Sequence, residues 1–377
     1  MSWSGYGKTV LVHDWLNGMR GGERCLELIG EQLPEAPIYT LLYRPEAVSE
    51  GIRAHEVRVS GLQRVPGFAG HYRWFLPLFP WAVESFRAEG DVRLVLSTSH
   101  CVAKGFRAPP GAKHVCYCFT PMRYAWELQA EYFGKGGLKR RLLDPFLKRL
   151  REWDRESSAR VDRFVAISRH VQARIREHYG RESAVVYPPV ATEFYTPGTA
   201  GGAGAEAAAR GEYDLVVSAL VPYKRIDLAV AAYALSGRRL VVAGAGSELA
   251  ALKKKAPANV EFAGRPDDAA VRELYRGCRM LVFPGEEDFG IVPVEAQACG
   301  KPVVAFGKGG LLETVREGET GVFFGEQTAE ALAEAVEKAA GRRWDAAAIR
   351  ANAERFSREK FLAGLKRELD LATGGAR

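Results

Sequence analysis

The stretch Phe283-Pro284-Gly285-Glu286-Glu287-Asp288-Phe289-Gly290-Ile291-Val292-Pro293-Val294-Glu295-Ala296 decides how this chain is read. An apolar, strand-like run from Arg279 leads into it. A helix-like run, Val292 to Cys299, leads out and stops at Gly300-Lys301-Pro302. Strand, loop and helix in that order form the unit of an open α/β sheet, whose ligands bind in loops at the carboxyl ends of the strands. Glu287 and Glu295 stand with seven residues between them across this junction. The first falls in the loop and the second about two turns into the helix.

The same alternation extends in both directions. Short apolar runs at 9–13, 92–97, 114–118 and 164–168 read as strands in the first half, with a helix bearing Leu26, Ile29 and Leu33 and a long basic helix from Leu138 to about Arg160. Runs at 214–218, 239–243, 260–263, 280–283 and 302–305 read as strands in the second half, with a helix from Ile226. Between the halves, 198–211 is Gly/Ala-rich without a large apolar residue, which suits a connector or surface loop. The expected organisation is an α/β chain of two doubly wound, Rossmann-like parallel-sheet domains facing each other across a cleft. The first covers 1–190, a linker 191–212 and the second 213–356. A last helix at 357–377 has Phe361, Leu365 and Leu369 on one face; that it crosses back to the first domain is what the family resemblance given below implies.

The chain has 377 residues, a length that suits two domains. No apolar run approaches the roughly 18 residues of a membrane span. Met1 to Lys8 lacks the basic start and apolar core of a secretory leader, so a cytoplasmic location is expected. The six Cys lie mostly in apolar runs, and Cys116-x-Cys118 alternates like a strand, so buried reduced thiols are expected. Residues 1–190 carry 28 basic and 20 acidic side chains, the remainder 25 and 26. The net charge of +7 therefore resides in the first half and points to a polyanionic partner.

The quoted stretch, with Phe-Gly-Ile-Val inside it and Ala-Gln-Ala-Cys-Gly-Lys-Pro-Val after it, resembles the E-x7-E motif of the retaining glycosyltransferases of GT-B fold, which include bacterial mannosyltransferases. Tyr117-Cys118-Phe119-Thr120-Pro121-Met122-Arg123-Tyr124-Ala125-Trp126-Glu127 resembles a signature of the surface-polysaccharide subgroup. The resemblance runs from His13 to about Phe356. It implies a hexosyltransferase that moves a sugar, with mannose from GDP-mannose favoured, from a nucleotide sugar to a lipid-linked or oligosaccharide acceptor. Metal and pyridoxal phosphate are not expected, and the chain contains no Asp-x-Asp.

Residue roles follow from the same resemblance. Glu287 would sit by the sugar hydroxyls, and Glu295 would accept from the ribose hydroxyls. The main chain of Phe289, Gly290, Ile291 and Val292 would line sugar and phosphates. Lys224 aligns with the cation that stabilises the leaving diphosphate. Arg225 is its helper, and a cation pair opening a helix is awkward for the helix dipole unless an anion binds there. Gly21 and Gly22 look like the glycine pair that lets backbone amides approach the donor phosphate, although a plain turn uses Gly pairs equally. Arg265 aligns with a position by the base. Gly309-Gly310 resembles another glycine turn of the donor domain. On the acceptor side, His100, Phe119 and Arg123 are candidates, each with a purely structural alternative.

Two positions depart from the family pattern. Ala219 stands where an Arg is common, and Phe119 stands where a His that faces the sugar is usual; Phe cannot exchange a proton. The departures motivate an alternative, a non-catalytic or weakly active nucleotide-sugar-binding relative. Another GT-B enzyme such as a sugar epimerase is a further one. Gly244-Ala245-Gly246 lacks the third Gly of a dinucleotide fingerprint, which disfavours a dehydrogenase. The basic residues 139–141, 148, 149 and 151 interleave with Leu142, Leu143, Phe146, Leu147 and Leu150, and 72–81 is dense in aromatics. These features suit an anionic membrane surface, with peripheral attachment, or equally core packing beneath a solvated basic face. No nucleic-acid motif accompanies the charge.

Overall fold

The computed structural model describes residues 3–126, 138–198 and 213–375. The chain divides into two compact units. Unit 1 is Met1–Pro188 with Phe361–Arg377, and unit 2 is Pro189–Lys360.

Unit 1 is built on a seven-stranded sheet of order β3-β2-β1-β4-β5-β6-β7. The strands are β1 (Lys8–His13), β2 (Ile38–Thr40), β3 (Val57–Val59), β4 (Val92–Ser99), β5 (Lys113–Cys118), β6 (Arg163–Ala166) and β7 (Ser183–Val185), all paired in parallel. Both faces of such a sheet are covered, so its central strands are apolar almost throughout. Val10, Leu11, Val12, Leu94, Val95 and Leu96 are accordingly buried. Helix α1 (Gly21–Gln32) follows β1, and helix α2 (Leu138–Ser158) precedes β6. Lys104 and Asp154, both fully buried, pair at 2.8 Å, and the Lys104 ammonium also donates to Ser157, so its charge is satisfied inside the core.

Unit 2 carries a six-stranded parallel sheet of order β10-β9-β8-β11-β12-β13. Its strands are β8 (Asp214–Val217), β9 (Leu240–Ala243), β10 (Val260–Gly264), β11 (Leu281–Phe283), β12 (Val303–Phe306) and β13 (Gly321–Phe324). Helix α3 (Ile226–Ser236) follows β8, and helix α4 (Ile291–Ala298) follows β11. Helix α5 (Arg358–Thr373) ends the fold. From Phe361 onward α5 packs in unit 1. There Phe361 meets the Tyr117 ring edge-on at 5.4 Å, and Arg163 bonds the buried Glu368 at 2.7 Å.

The expected linker at 191–212 needs correction at its start. Val190 pairs with Ser357, Tyr195 packs against Tyr275 at 5.8 Å, and Arg276 donates to the Thr196 carbonyl at 2.8 Å. Residues 189–198 thus belong to unit 2, because they carry apolar anchors that the glycine-rich 198–211 stretch lacks. Residues 199–212 lie outside the described residues, as do Glu127 and the remainder of 127–137. All six cysteines are buried free thiols.

Candidate active site

In both sheets the strand order reverses direction once, between β1 and β4 in unit 1 and between β8 and β11 in unit 2. At such a switch point the loops leaving two neighbouring strands run to opposite sides and open a crevice.

In unit 2 the β8 loop carries Lys224 and the β11 loop carries Glu287 to this point. Their side chains form an ion pair there, each about 15% exposed. Three features hold the carboxylate loop. Gly310 donates its amide to the Glu287 carbonyl at 2.8 Å. A Cβ at Gly309 would collide with that same carbonyl oxygen, and one at Gly310 would lie 2.5 Å from the Phe289 Cα. Phe289 is buried edge-on to Phe356 at 5.3 Å. Gly309 (φ 68°) and Gly310 are therefore required for the approach of two backbones. Gly290, at φ 96°, caps α4, so the amides of Ile291 and Val292 lie in the first turn, without intrahelical acceptors.

Glu295 is buried on α4 and accepts the Tyr275 hydroxyl at 2.9 Å. Burial, with the Glu295 carboxylate beside it, pushes the Tyr275 phenol well above its ordinary range, so it remains a donor that fixes the carboxylate. Arg225 sits in the left-handed region, φ 54°, at the start of α3. Its guanidinium turns to Asp227 at 3.2 Å and Gln327 at 3.3 Å, and Gln327 in turn donates to the Pro284 carbonyl at 2.9 Å. Arg225 thus braces the loop on which Glu287 stands, while Lys224 is the cation that meets it. Ala219 is exposed on the β8 loop. Arg265 is exposed beyond β10, two strands away from the switch point.

In unit 1 the carboxyl ends of β1, β4 and β5 bring His13, His100 and Phe119 together, with ring centroids 6.1 to 6.5 Å apart. Gly21 and Gly22 open α1. A Cβ on Gly22 would stand 3.3 Å from the Phe119 ring, so glycine sets how closely α1 approaches. Asp14, fully buried, accepts the backbone amides of His100, Cys101, Val102 and Ala103 at 2.6 to 3.0 Å, and the His100 Nδ1 lies 3.1 Å from its Oδ2. The carboxylate thereby holds the β4 turn and orients the His100 ring. Arg123 begins a short helix, and its charge, with those of Arg20 and Arg73, acts on His100.

Asp14, His13, Tyr275 and Gln327 were not singled out in the sequence. Asp14 follows a strand end, a legible hint, but its four donors lie more than eighty residues away along the chain. Tyr275 and Gln327 carry no local signal. Among the described residues no group of three or more His, Cys, Asp or Glu is arranged to hold a metal ion. No described helix is long and apolar enough to cross a membrane.

Burial pushes the His13 imidazole down to about 3 and His114 to about 4, and it lowers His100 as well. In the unfolded chain these rings take up protons near pH 6.5. The folded state does not, so their contribution to stability is full above about pH 6.5 and declines as the pH falls toward 4 and 3. Thermal melts are expected to be flat above pH 7 and to drop progressively between pH 6.5 and 4. His114→Gln should make that decline shallower; a pH profile identical to wild type would refute this account.

Two parallel-sheet units, each with loop-borne polar groups at its own switch point, define an α/β scaffold for binding ligands at carboxyl edges. Comparison with known proteins sharpens the class. The family model for glycosyl transferases group 1 matches residues 207–356, and that for glycosyltransferase family 4 matches residues 19–194. Each model matches somewhat less than half of the chain, which is similar to these glycosyltransferases and is built on the GT-B scaffold. Among curated relatives, it is 34% identical over 166 residues to the D-inositol 3-phosphate glycosyltransferase of Mycobacteroides abscessus, covering 40% of this chain and 38% of that protein. It is 33% identical over 242 residues to the protein of that name from Rhodococcus opacus, covering 57% and 54%. The chain thus spans about half, or less, of the length of these relatives. Solved structures of the same fold include sucrose-phosphate synthase from Thermosynechococcus elongatus, with TM-score 0.75, 18% identity and coverage of 97% and 100%. HepE of Anabaena in complex with UDP and glucose matches with TM-score 0.70 and 18% identity, covering 96% of this chain and 99% of that one.

Proposed function

We propose that this protein transfers a hexose from a nucleotide sugar to a hydroxyl acceptor with retention of anomeric configuration. The observation that carries the reading is the Lys224–Glu287 pair at the unit 2 switch point, beside the first turn of α4. A diphosphate needs a cation and unpaired amides, and Lys224 with the amides of Ile291 and Val292 offers both. The anomeric carbon–oxygen bond to the diphosphate breaks, and the acceptor oxygen bonds the same face. The acceptor proton passes to the departing phosphate oxygen. In this reading Lys224, not a metal ion, stabilises the leaving group. Glu287 holds the sugar, and Glu295, fixed by Tyr275, accepts from ribose hydroxyls.

Family resemblance favours mannose from GDP-mannose, and a lipid-linked or oligosaccharide acceptor follows from the surface-polysaccharide signature at 117–127. The described surface of unit 1 supports a lipid-borne acceptor. Trp74 is 79% exposed and Trp81 62%, with Leu78 also exposed, while Tyr72, Leu76 and Phe79 turn into the core. In α2, Leu147 and Leu150 are buried and Lys148 and Arg149 exposed. The side chains of 139–143 lie outside the described residues. Exposed tryptophans on a unit that also exposes cations suit the interface of an anionic bilayer.

Thermal shifts against a panel of GDP-, UDP- and ADP-sugars test the donor. A ligand at a hundred times its Kd stabilises by about 2.7 kcal/mol, which is several degrees for a protein of this size. GDP-mannose is expected to give the largest shift and to be turned over. A panel without any shift or turnover would defeat the reading.

A further inference from the structure

His13 is 1% exposed, at the last position of β1, and its Nε2 is buried without a hydrogen-bond partner. A buried polar atom in that condition is costly, and so calls for an explanation. The surrounding bonds are compatible with a proton on Nδ1. The Thr98 hydroxyl donates to the Val12 carbonyl at 3.3 Å, so its oxygen is left to accept from His13 Nδ1 at 2.7 Å. With the proton on Nδ1, the neutral ring presents a bare lone pair at Nε2. His100 is arranged alike: its Nδ1 faces the Asp14 carboxylate at 3.1 Å, which makes its Nε2 an acceptor too. Two acceptor nitrogens on rings 6.1 Å apart suit a ligand with several hydroxyl donors. Phe119, half-buried between both rings and the start of α1, supplies an apolar face of the kind that covers a sugar ring's C–H surface.

We propose that His13 is a substrate-contacting residue. Its Nε2, with that of His100, accepts hydrogen bonds from the hydroxyls of a sugar ring bound at the carboxyl edge of the unit 1 sheet. Nε2 is itself buried, so in this proposal a sugar ring reaches it when the neighbouring half-buried rings of His100 and Phe119 shift. The identification of the ligand as a sugar rests on the glycosyl-transfer reading.

His114 provides the control. Its Nδ1 is likewise buried and without a partner, yet it stands near the amino end of β5, away from the loops that bind ligands. His13→Asn retains an amide that can bond Thr98 but deletes Nε2; His13→Gln restores a polar atom near Nε2. For His13→Asn, kcat/KM for transfer is expected to fall at least tenfold, while calorimetric affinity for the free nucleoside diphosphate and the melting temperature stay near wild type. His13→Gln should recover part of the loss, and His114→Asn should leave kcat/KM within about twofold. Imidazole 15N spectra of the wild type give a readout that needs no turnover. The His13 Nε2 resonance should move on addition of GDP-mannose but not of GDP, or, where no donor is turned over, on addition of methyl α-D-mannoside. Unchanged transfer by His13→Asn, or an Nε2 resonance indifferent to every sugar, means the nitrogen holds a buried water only and overturns the proposal. A moving resonance in a protein that transfers no sugar would instead leave this proposal standing and defeat the glycosyl-transfer reading.

Discussion

Glu287→Gln is expected to lower the rate of sugar transfer by about 100- to 1,000-fold, the usual loss when one preorganised charged group is removed from a reacting site. The same change should leave nucleoside-diphosphate affinity unchanged or slightly higher. The sign follows from the ion pair. The Lys224 ammonium is matched by the Glu287 carboxylate. An incoming diphosphate competes with that carboxylate for the cation. The neutral amide of Gln competes less, so binding of the anion should not suffer, while the charge that faces the sugar is gone. Gln keeps the length of the side chain, and the loop is held by the Gly310 amide on the Glu287 carbonyl, which the change does not touch. Single-turnover rates and calorimetry on the same variant separate the two effects. Transfer within tenfold of wild type would remove Glu287 from the reacting site. A large fall in diphosphate affinity would mean that the carboxylate orders Lys224 for binding instead of competing for it.

Asp14→Ala should have the largest effect on folding. One side chain accepts four consecutive backbone amides, His100 to Ala103, and contacts the His100 ring. Each buried donor left unpaired costs about 1–3 kcal/mol, so even with partial relief by water the loss is on the order of 4 kcal/mol or more. That is a large part of the roughly 5–15 kcal/mol that holds a native protein together. The expected outcome is insoluble protein or a melting temperature lower by about 10 °C or more. Asp14→Asn covers the case in which Ala does not fold. It keeps one oxygen but turns an amide NH2 toward two N–H donors, and should lie between the two in urea denaturation. A melting temperature of Asp14→Ala within about 2 °C of wild type would show that the β4 turn stands without its carboxylate.

Much of this is visible in local sequence because parallel sheets buried on both faces demand continuous apolar strands. Runs such as Thr9 to Val12 and Met280 to Phe283 meet that demand, and the helix after each follows from the connection between parallel neighbours. Glu287 in a loop and Glu295 on a helix were legible from the same rhythm. The linker start was not, because Tyr195 and Thr196 are anchored by Tyr275 and Arg276, some eighty residues further along the chain. Arg225 was read as a second cation for the ligand, and its contacts with Asp227 and Gln327 were not legible beside that reading. A composition of loop residues says that charge is present and not where it turns.

By itself, then, the sequence determined the α/β class, the two-unit organisation and the loop that bears the principal carboxylate. These depend on hydrophobic periodicity and on turn residues, which act over a few positions. Only the tertiary structure decided that Lys224 meets Glu287, that Asp14 gathers four amides and that His13 stands beside His100 and Phe119. Each of these joins segments far apart in the chain. They meet because the strand order β2-β1-β4-β5 in one sheet and β9-β8-β11-β12 in the other brings particular strand ends side by side, and local sequence carries no record of that order.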